Sequence, residues 1–186
     1  MPENMEYRVA TAGDIPALEW LIPLSARGLQ AGCYTAEQIE GAIGTVFGVD
    51  SQLIRDGTYF VALDGGTIVG GGGWSKRKAL YGSDRARQSE DPLRDPRAEP
   101  AMIRAFFVHP DFARRGLGTK FLQLCEAAAA AAGFRDIEIV ATLPGERLYA
   151  ACGYAVVKRF DIELANRALM PVVTMRKIRA NPEQSS

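Results

Sequence analysis

Apolar and polar residues alternate in "EYRVA" (Glu6–Ala10), the mark of a strand with two unlike faces. "TAGD" follows, and Thr11 or Asp14 caps a helix expected to run to about Gln30. Pro16 fits the first turn of that helix, and Pro23 is expected to kink or break it. Thr35 and Gln38 have capping-box spacing and open a second helix over "AEQIEGAIGTVF". Strands at Tyr59–Leu63 and Thr67–Ser75 flank the tight turn Asp64-Gly65-Gly66. The glycine run Gly70–Gly73 has no helix behind it, so it reads as a bulged or closely packed strand rather than a phosphate loop.

The pattern changes at residues 76–100, where charged residues, Pro and Ser predict a long surface loop, a flexible lid. "AMIRAFFV" (Ala101–Val108) is almost wholly apolar and suits a central strand buried on both faces. Leu117, Phe121, Leu124, Cys125, Ala128 and Ala132 recur at helical spacing across Gly116–Ala132, and Gly133 ends that helix. "DIEIVAT" is a further strand, "GERLYAACGY" a short helix closed by Gly153, and "AVVKRFDIE" and "LMPVVTMRKI" the last two strands. The order predicts an α/β (α+β) fold, a mixed sheet with helices on both faces. One domain over residues 1–178 and a polar tail over 179–186 account for the chain.

Composition narrows the function more by exclusion than by assignment. The 186 residues balance 22 Lys+Arg against 22 Asp+Glu, which argues against a general nucleic-acid or membrane-surface binder. No stretch reaches the ~18 consecutive apolar residues of a membrane span, and the N-terminus has no secretory pattern, so a cytoplasmic protein is expected. Cys33, Cys125 and Cys152 are widely spaced, and His109 is the sole histidine; neither a disulfide framework nor a metal site is expected.

The densest chemistry lies in "FFVHPDFARRGLGTKFL", where an apolar strand meets a helix start. The first helical turn carries N–H groups without intrahelical partners and a partial positive charge. Gly116 and Gly118 let a bulky anion approach the backbone, and Arg114 and Arg115 add charge beside it. The segment therefore suits a phosphate, yet it has neither the Gly-Lys-Ser/Thr ending of a P-loop nor a third Rossmann glycine, Phe121 standing there. A glycine-softened turn with two solvated arginines is the plain alternative.

"VHPDFARRGLGTKFL" resembles the signature of the GCN5-related N-acetyltransferases: a strand ending in Val-x-Pro, then Gln/Arg-x-x-Gly-x-Gly/Ala at a helix start. Ala113 departs from it at the first Gln/Arg position, with Arg114 and Arg115 beside it. The resemblance runs over about residues 6 to 177. It implies a central mixed sheet of about seven strands, splayed where acetyl-CoA binds. The backbone of Arg114, Arg115, Gly116, Leu117, Gly118 and Thr119 would hold the pyrophosphate, and the strand edge at Phe106, Phe107 and Val108 would pair with the pantetheine arm.

"LYAACGY" carries the second resemblance. Tyr149, four residues before Gly153, matches the family tyrosine whose proposed role is general acid on the leaving thiolate; a core tyrosine with its hydroxyl at the rim is the plain alternative. Thr142 stands where relatives often have a cofactor-contacting Asn. No general base declares itself. Glu99, Glu138 and His109 read more simply as surface or turn residues, and Arg104 in the apolar strand either lines the acceptor pocket or pairs with a structural acid. Tyr34 lies where relatives shape the acceptor site; Tyr59, Phe60 and Trp74 read first as core. Cys152 reads as packing rather than as an acyl carrier. The implied partner is a small-molecule amine or exposed amino group, with homodimer formation expected by analogy. An acyl-CoA sensor that lost its chemistry is the alternative function, and a longer acyl donor a third.

Overall fold

The computed structural model describes residues 5–78, 83–86 and 91–178; the C-terminal tail expected at 179–186 lies outside the described residues. Seven strands form one sheet: β1 (Met5–Val9), β2 (Tyr59–Asp64), β3 (Thr67–Ser75), β4 (Ala101–Val108), β5 (Asp136–Thr142), β6 (Ala155–Glu163) and β7 (Leu169–Ile178). Their spatial order is β1-β2-β3-β4-β5-β7-β6. Neighbours run antiparallel except β4 and β5, which are parallel. Five α-helices accompany them among the described residues: α1 (Ile15–Leu29), α2 (Ala36–Ala42), α3 (Ser51–Arg55), α4 (Leu117–Ala131) and α5 (Glu146–Ala151).

Alternation along β2 puts helices on both faces. Tyr59, Val61 and Leu63 join the core under α1 and α2, while Phe60 and Ala62 pack with Phe121 of α4. The Gly65-Gly66 turn has φ of 55° and 83°, the left-handed pair that a tight hairpin needs.

α1 runs unbroken through Pro23. Leu18, Leu21 and Ile22 before the proline and Ser25 and Ala26 after it are all buried, so packing holds both halves while the proline removes one hydrogen bond. The second helix stops at Ala42, earlier than its apolar spacing predicts, because Gly44 turns left-handed at φ 88° and Phe47 N–H closes back on Ala42 O at 2.9 Å. Its capping box forms as expected, with Gln38 N–H donating to Thr35 Oγ1 at 3.2 Å and Thr35 N–H to Gln38 Oε1 at 2.9 Å. The five-residue α3 is an addition to the predicted elements; it is too short to show a helical period.

Gly70–Gly73 are buried in β3 because aromatic rings occupy both faces. A Cβ at Gly71 or Gly73 would meet Tyr59 within 3 Å, one at Gly72 would meet Phe106 at 2.6 Å, and one at Gly70 would meet Phe121 at 3.0 Å. Part of the 76–100 segment is pinned to the body. Arg77 pairs with Asp56 at 2.8 Å, Ser83 Oγ donates to Gly44 O at 2.9 Å, and Ser51 N–H and Oγ donate to Asp84 Oδ1.

Candidate active site

Two features of β4 make an opening in the sheet. Its ladder with β5 covers only Ala101–Ile103 against Ile137–Ile139, although β4 continues to Val108 and β5 to Thr142. Beyond Ile103 the two strands fork. On its other side, β4 carries a bulge: Gly71 pairs with Phe107 and Gly73 with Arg104, so the one residue between on β3 faces two on β4. The extra residue is Ala105, whose φ is 57°. Tyr59 Oη donates to Ala105 O at 2.9 Å and holds the bulge from below. The insertion also resets the alternation, so Phe106 contacts Phe121 and Tyr149 on one face while Phe107 contacts Phe47 on the other.

The fork is lined by Gln30, Val46, Phe47, residues 103–107, residues 139–142 and Tyr149. Tyr149 is buried among Phe106, Tyr154 and Gly145. Its hydroxyl makes no hydrogen bond to any described residue, so it is left to face the fork. Burial first, with Cys125 and Cys152 adding to it, pushes the phenol well above its ordinary range. A proton held that firmly makes Tyr149 a donor at neutral pH, not a base. Thr142 lies at the end of β5 on the same opening.

The Arg-Arg-Gly turn precedes α4. Arg114 adopts φ 64° and Gly116, the helix N-cap, φ 85°; of the two glycines in this segment, Gly116 is the one whose backbone demands glycine with open space around it. Gly118 is confined instead by Leu148 of α5, 2.9 Å from where a Cβ would stand. Arg114 and Arg115 are exposed, and neither has an acidic partner among the described residues; Arg115 lies over the Phe112 ring at 4.9 Å. The N–H groups of Leu117, Gly118 and Thr119 in the first turn lack intrahelical acceptors. Two cations and a row of N–H donors thus sit at one helix start, a donor set suited to a pyrophosphate.

The structure sorts the remaining candidates. Arg104 takes the structural alternative: its guanidinium lies 2.7 Å from Asp50 Oδ2, both side chains almost wholly buried. Asp50 was not foreseen, although a charge inside an apolar strand calls for such a partner. Val108 N–H donates to Ser25 Oγ at 3.1 Å, so this part of the strand edge is bonded to α1. His109 is a turn residue whose Nδ1 accepts from Asp111 N–H at 3.1 Å. Glu99 caps its own loop, accepting from Asp95 N–H at 2.7 Å. Tyr34 Oη donates to Pro171 O at 2.6 Å and accepts from Leu143 N–H at 2.9 Å; burial raises its pKa to about 12 and fixes it as a cross-link. Trp74 packs against Phe134 and is not among the residues that line the fork.

Sequence reasoning passed over Gln30, Val46 and Phe47, which reach the fork from the α1–α3 region. Phe47 also walls a neighbouring cavity of about 380 Å³ bordered by Glu19, Ile22, Ile43, Val49 and Arg85.

The acetyltransferase (GNAT) family profile matches residues 26–154. No curated protein matches the chain. Among solved structures, the fold is similar to a GCN5-related N-acetyltransferase from Rhodopseudomonas palustris, with TM-score 0.70 and 21% identity over 95% of this chain and 96% of that one. It is also similar to the paia N-acetyltransferase of Thermoplasma acidophilum, solved with coenzyme A, at TM-score 0.63 and 14% identity over 94% and 99% of the two chains. A third is yncA of Salmonella typhimurium, solved with its cofactor acetyl-CoA, at TM-score 0.62 and 15% identity over 98% and 99%. With the profile spanning well over half of its length, from the end of α1 through α5, this chain belongs to the acetyltransferase (GNAT) family.

Proposed function

We propose that the protein is an acetyl-CoA-dependent N-acetyltransferase acting on a primary amine of a small molecule or on an exposed amino group, with both substrates bound together. The observation that carries this reading is the fork between β4 and β5, lined by Tyr149, in a chain that also sets at the start of α4 two arginines with no acidic partner among the described residues. Relatives of the same fold solved with coenzyme A or acetyl-CoA support it.

Arg114, Arg115 and the N–H groups of Gly116–Thr119 hold the pyrophosphate, and the Phe106–Phe107 edge of the fork offers backbone groups to the amide-bearing arm. Bound acetyl-CoA supplies an acetyl group activated as a thioester. The acceptor nitrogen forms the new C–N bond, the C–S bond breaks, and the nitrogen's surplus proton leaves to water. Tyr149 donates its hydroxyl hydrogen toward the departing sulfur. A free thiol titrates near ~8.5, below even an unperturbed tyrosine near ~10, so the contribution is a hydrogen bond to the thiolate rather than full protonation. A covalent detour through Cys152 is disfavoured, because burial and the Glu126 carboxylate raise its thiol pKa and Lys177 only partly offsets them.

The three free cysteines suit a cytoplasmic protein. Val156 and Val157 of edge strand β6 are about half exposed and support a homodimer through that edge. The reaction is tested by following thiol release from acetyl-CoA across a panel of amines. Release that depends on the amine supports the enzyme. Saturable acetyl-CoA binding without amine-dependent release would favour a sensor.

A further inference from the structure

We propose that Gln30 binds the reacting nitrogen of the acceptor, and that the acceptor is a primary amine on an uncharged apolar arm. This deepens the acetyltransferase reading and rests on it.

Gln30 caps the C-terminus of α1, and its backbone is fixed from both sides. Its N–H donates to Ala26 O at 3.0 Å, and its carbonyl accepts from Cys33 and Tyr34 N–H at 3.1 and 3.0 Å. Gln30 lines the fork together with Tyr149. Its Oε1 is buried, and the amide makes no hydrogen bond to any described residue. A buried amide oxygen without a donor is unfavourable unless something else supplies one.

Most other polar groups around the fork are already engaged. Ser25 Oγ serves Val108 N–H, Tyr34 Oη serves Pro171 and Leu143, Tyr59 Oη serves Ala105 O, and Arg104 faces Asp50. The Gln30 amide, the Tyr149 hydroxyl and the Thr142 hydroxyl make no hydrogen bond to any described residue and so remain for ligands. Gln30 shares the α1–α3 side with Val46 and Phe47, whereas Tyr149 comes from α5 on the other side. A nitrogen held at Oε1 therefore approaches from the side opposite the thiolate's donor.

The lining also restricts what carries that nitrogen. Arg104 is balanced by Asp50, and the walls beside Gln30 are Val46, Phe47 and Phe107, the last two edge to face at 6.1 Å. An apolar or aromatic arm fits these walls, while a second charge near the nitrogen would lose hydration without gaining a counter-charge. A primary amine has two N–H bonds. One is donated to Gln30 Oε1 throughout, and the other supplies the proton that leaves. A secondary amine cannot do both.

The test compares phenethylamine, N-methylphenethylamine and spermidine as acceptors for wild type, Gln30→Met and Gln30→Leu, with acetyl-CoA varied separately. Wild type should prefer phenethylamine over both others by about tenfold or more in kcat/KM. Both variants should lower kcat/KM for phenethylamine by about tenfold to a hundredfold, lose the preference over the N-methyl compound, and leave the acetyl-CoA KM unchanged. Their Tm should equal or exceed that of wild type, since an unbonded buried carbonyl is removed; a structural role for Gln30 predicts a lower Tm with kinetics per folded molecule intact. The proposal is overturned by that pattern, by an effect confined to the acetyl-CoA KM, or by a wild type that turns over spermidine but not phenethylamine. A wild type that releases thiol with no amine overturns the acetyltransferase reading as well.

Discussion

Replacing Gly71 by Ala adds a single methyl group at the point where the bulge in β4 is anchored. Gly71 is buried in β3 and pairs with Phe107, immediately beyond the bulge. A Cβ there would stand 2.6 Å from Tyr59 Oη, 2.8 Å from Cε1 and 3.0 Å from Cζ. Tyr59 has nowhere easy to go: it is 3% exposed, and its hydroxyl is committed to Ala105 O. Overpacking of this kind costs roughly 1–3 kcal/mol. A displaced hydroxyl leaves the Ala105 carbonyl without its donor, roughly another 1–3 kcal/mol. The backbone at Gly71 is not left-handed, so alanine is conformationally allowed and regains about 0.4–1 kcal/mol by restricting the unfolded chain. The net expectation is a loss of about 3 kcal/mol, a large share of the ~5–15 kcal/mol that holds a domain together.

Urea unfolding followed by the fluorescence of buried Trp74 measures this loss as a lower midpoint with unchanged slope. The clash itself is isolated by repeating the substitution on a Tyr59→Leu background, where the ring is absent. There Gly71→Ala should cost under about 1 kcal/mol, giving a coupling of more than 1 kcal/mol between the two sites. A Gly71→Ala protein as stable as wild type, or costs that simply add, would refute the claim that the glycine run exists to seat Tyr59 and the bulge.

Two further expectations concern charge. Asp50→Ala deprives the buried Arg104 of its carboxylate and should cost about 3–5 kcal/mol in the same urea assay, whereas a loss under about 1 kcal/mol would mean the pair contributes little; the double change Asp50→Ala with Arg104→Met should recover part of the loss. Changing Arg114 and Arg115 together to Ala should raise the acetyl-CoA KM about tenfold, equivalent to ~1.4 kcal/mol, with the difference shrinking as salt is added; an unchanged KM would remove both guanidinium groups from coenzyme binding.

What the sequence disclosed follows from how local each signal is. The hairpin at Gly65-Gly66 and helix α4 are written in neighbouring residues, as turn glycines and as a regular apolar period, and both form as read. The α2 spacing continued into Ile43–Phe47 because Ile43, Val46 and Phe47 do face the core, but they reach it through a left-handed Gly44. Nothing in "AMIRAFFV" announces that Ala105 turns left-handed; the bulge is imposed by Tyr59 and by glycines of another strand. The same holds for the fork. Val-x-Pro and Tyr149 are visible in their own segments, whereas Gln30 and Phe47 join them only after α1 and the following loop pack across the sheet. Arg104 lay between: its burial was readable from the strand, but its partner Asp50 lies 54 residues earlier in the chain, just ahead of α3.

The most direct test of the account is turnover by Tyr149→Phe beside wild type, measured as amine-dependent thiol release at saturating acetyl-CoA, with the acetyl-CoA Kd determined independently. Tyr149 is buried, but its hydroxyl is not among the buried unpartnered atoms and makes no hydrogen bond to the described protein, so its removal should leave the fold and the Kd unchanged. The predicted result is a fall in kcat of about a hundredfold, the scale of losing one donor to a developing negative charge. Equal turnover by the two proteins would contradict it and would take Tyr149 out of the mechanism.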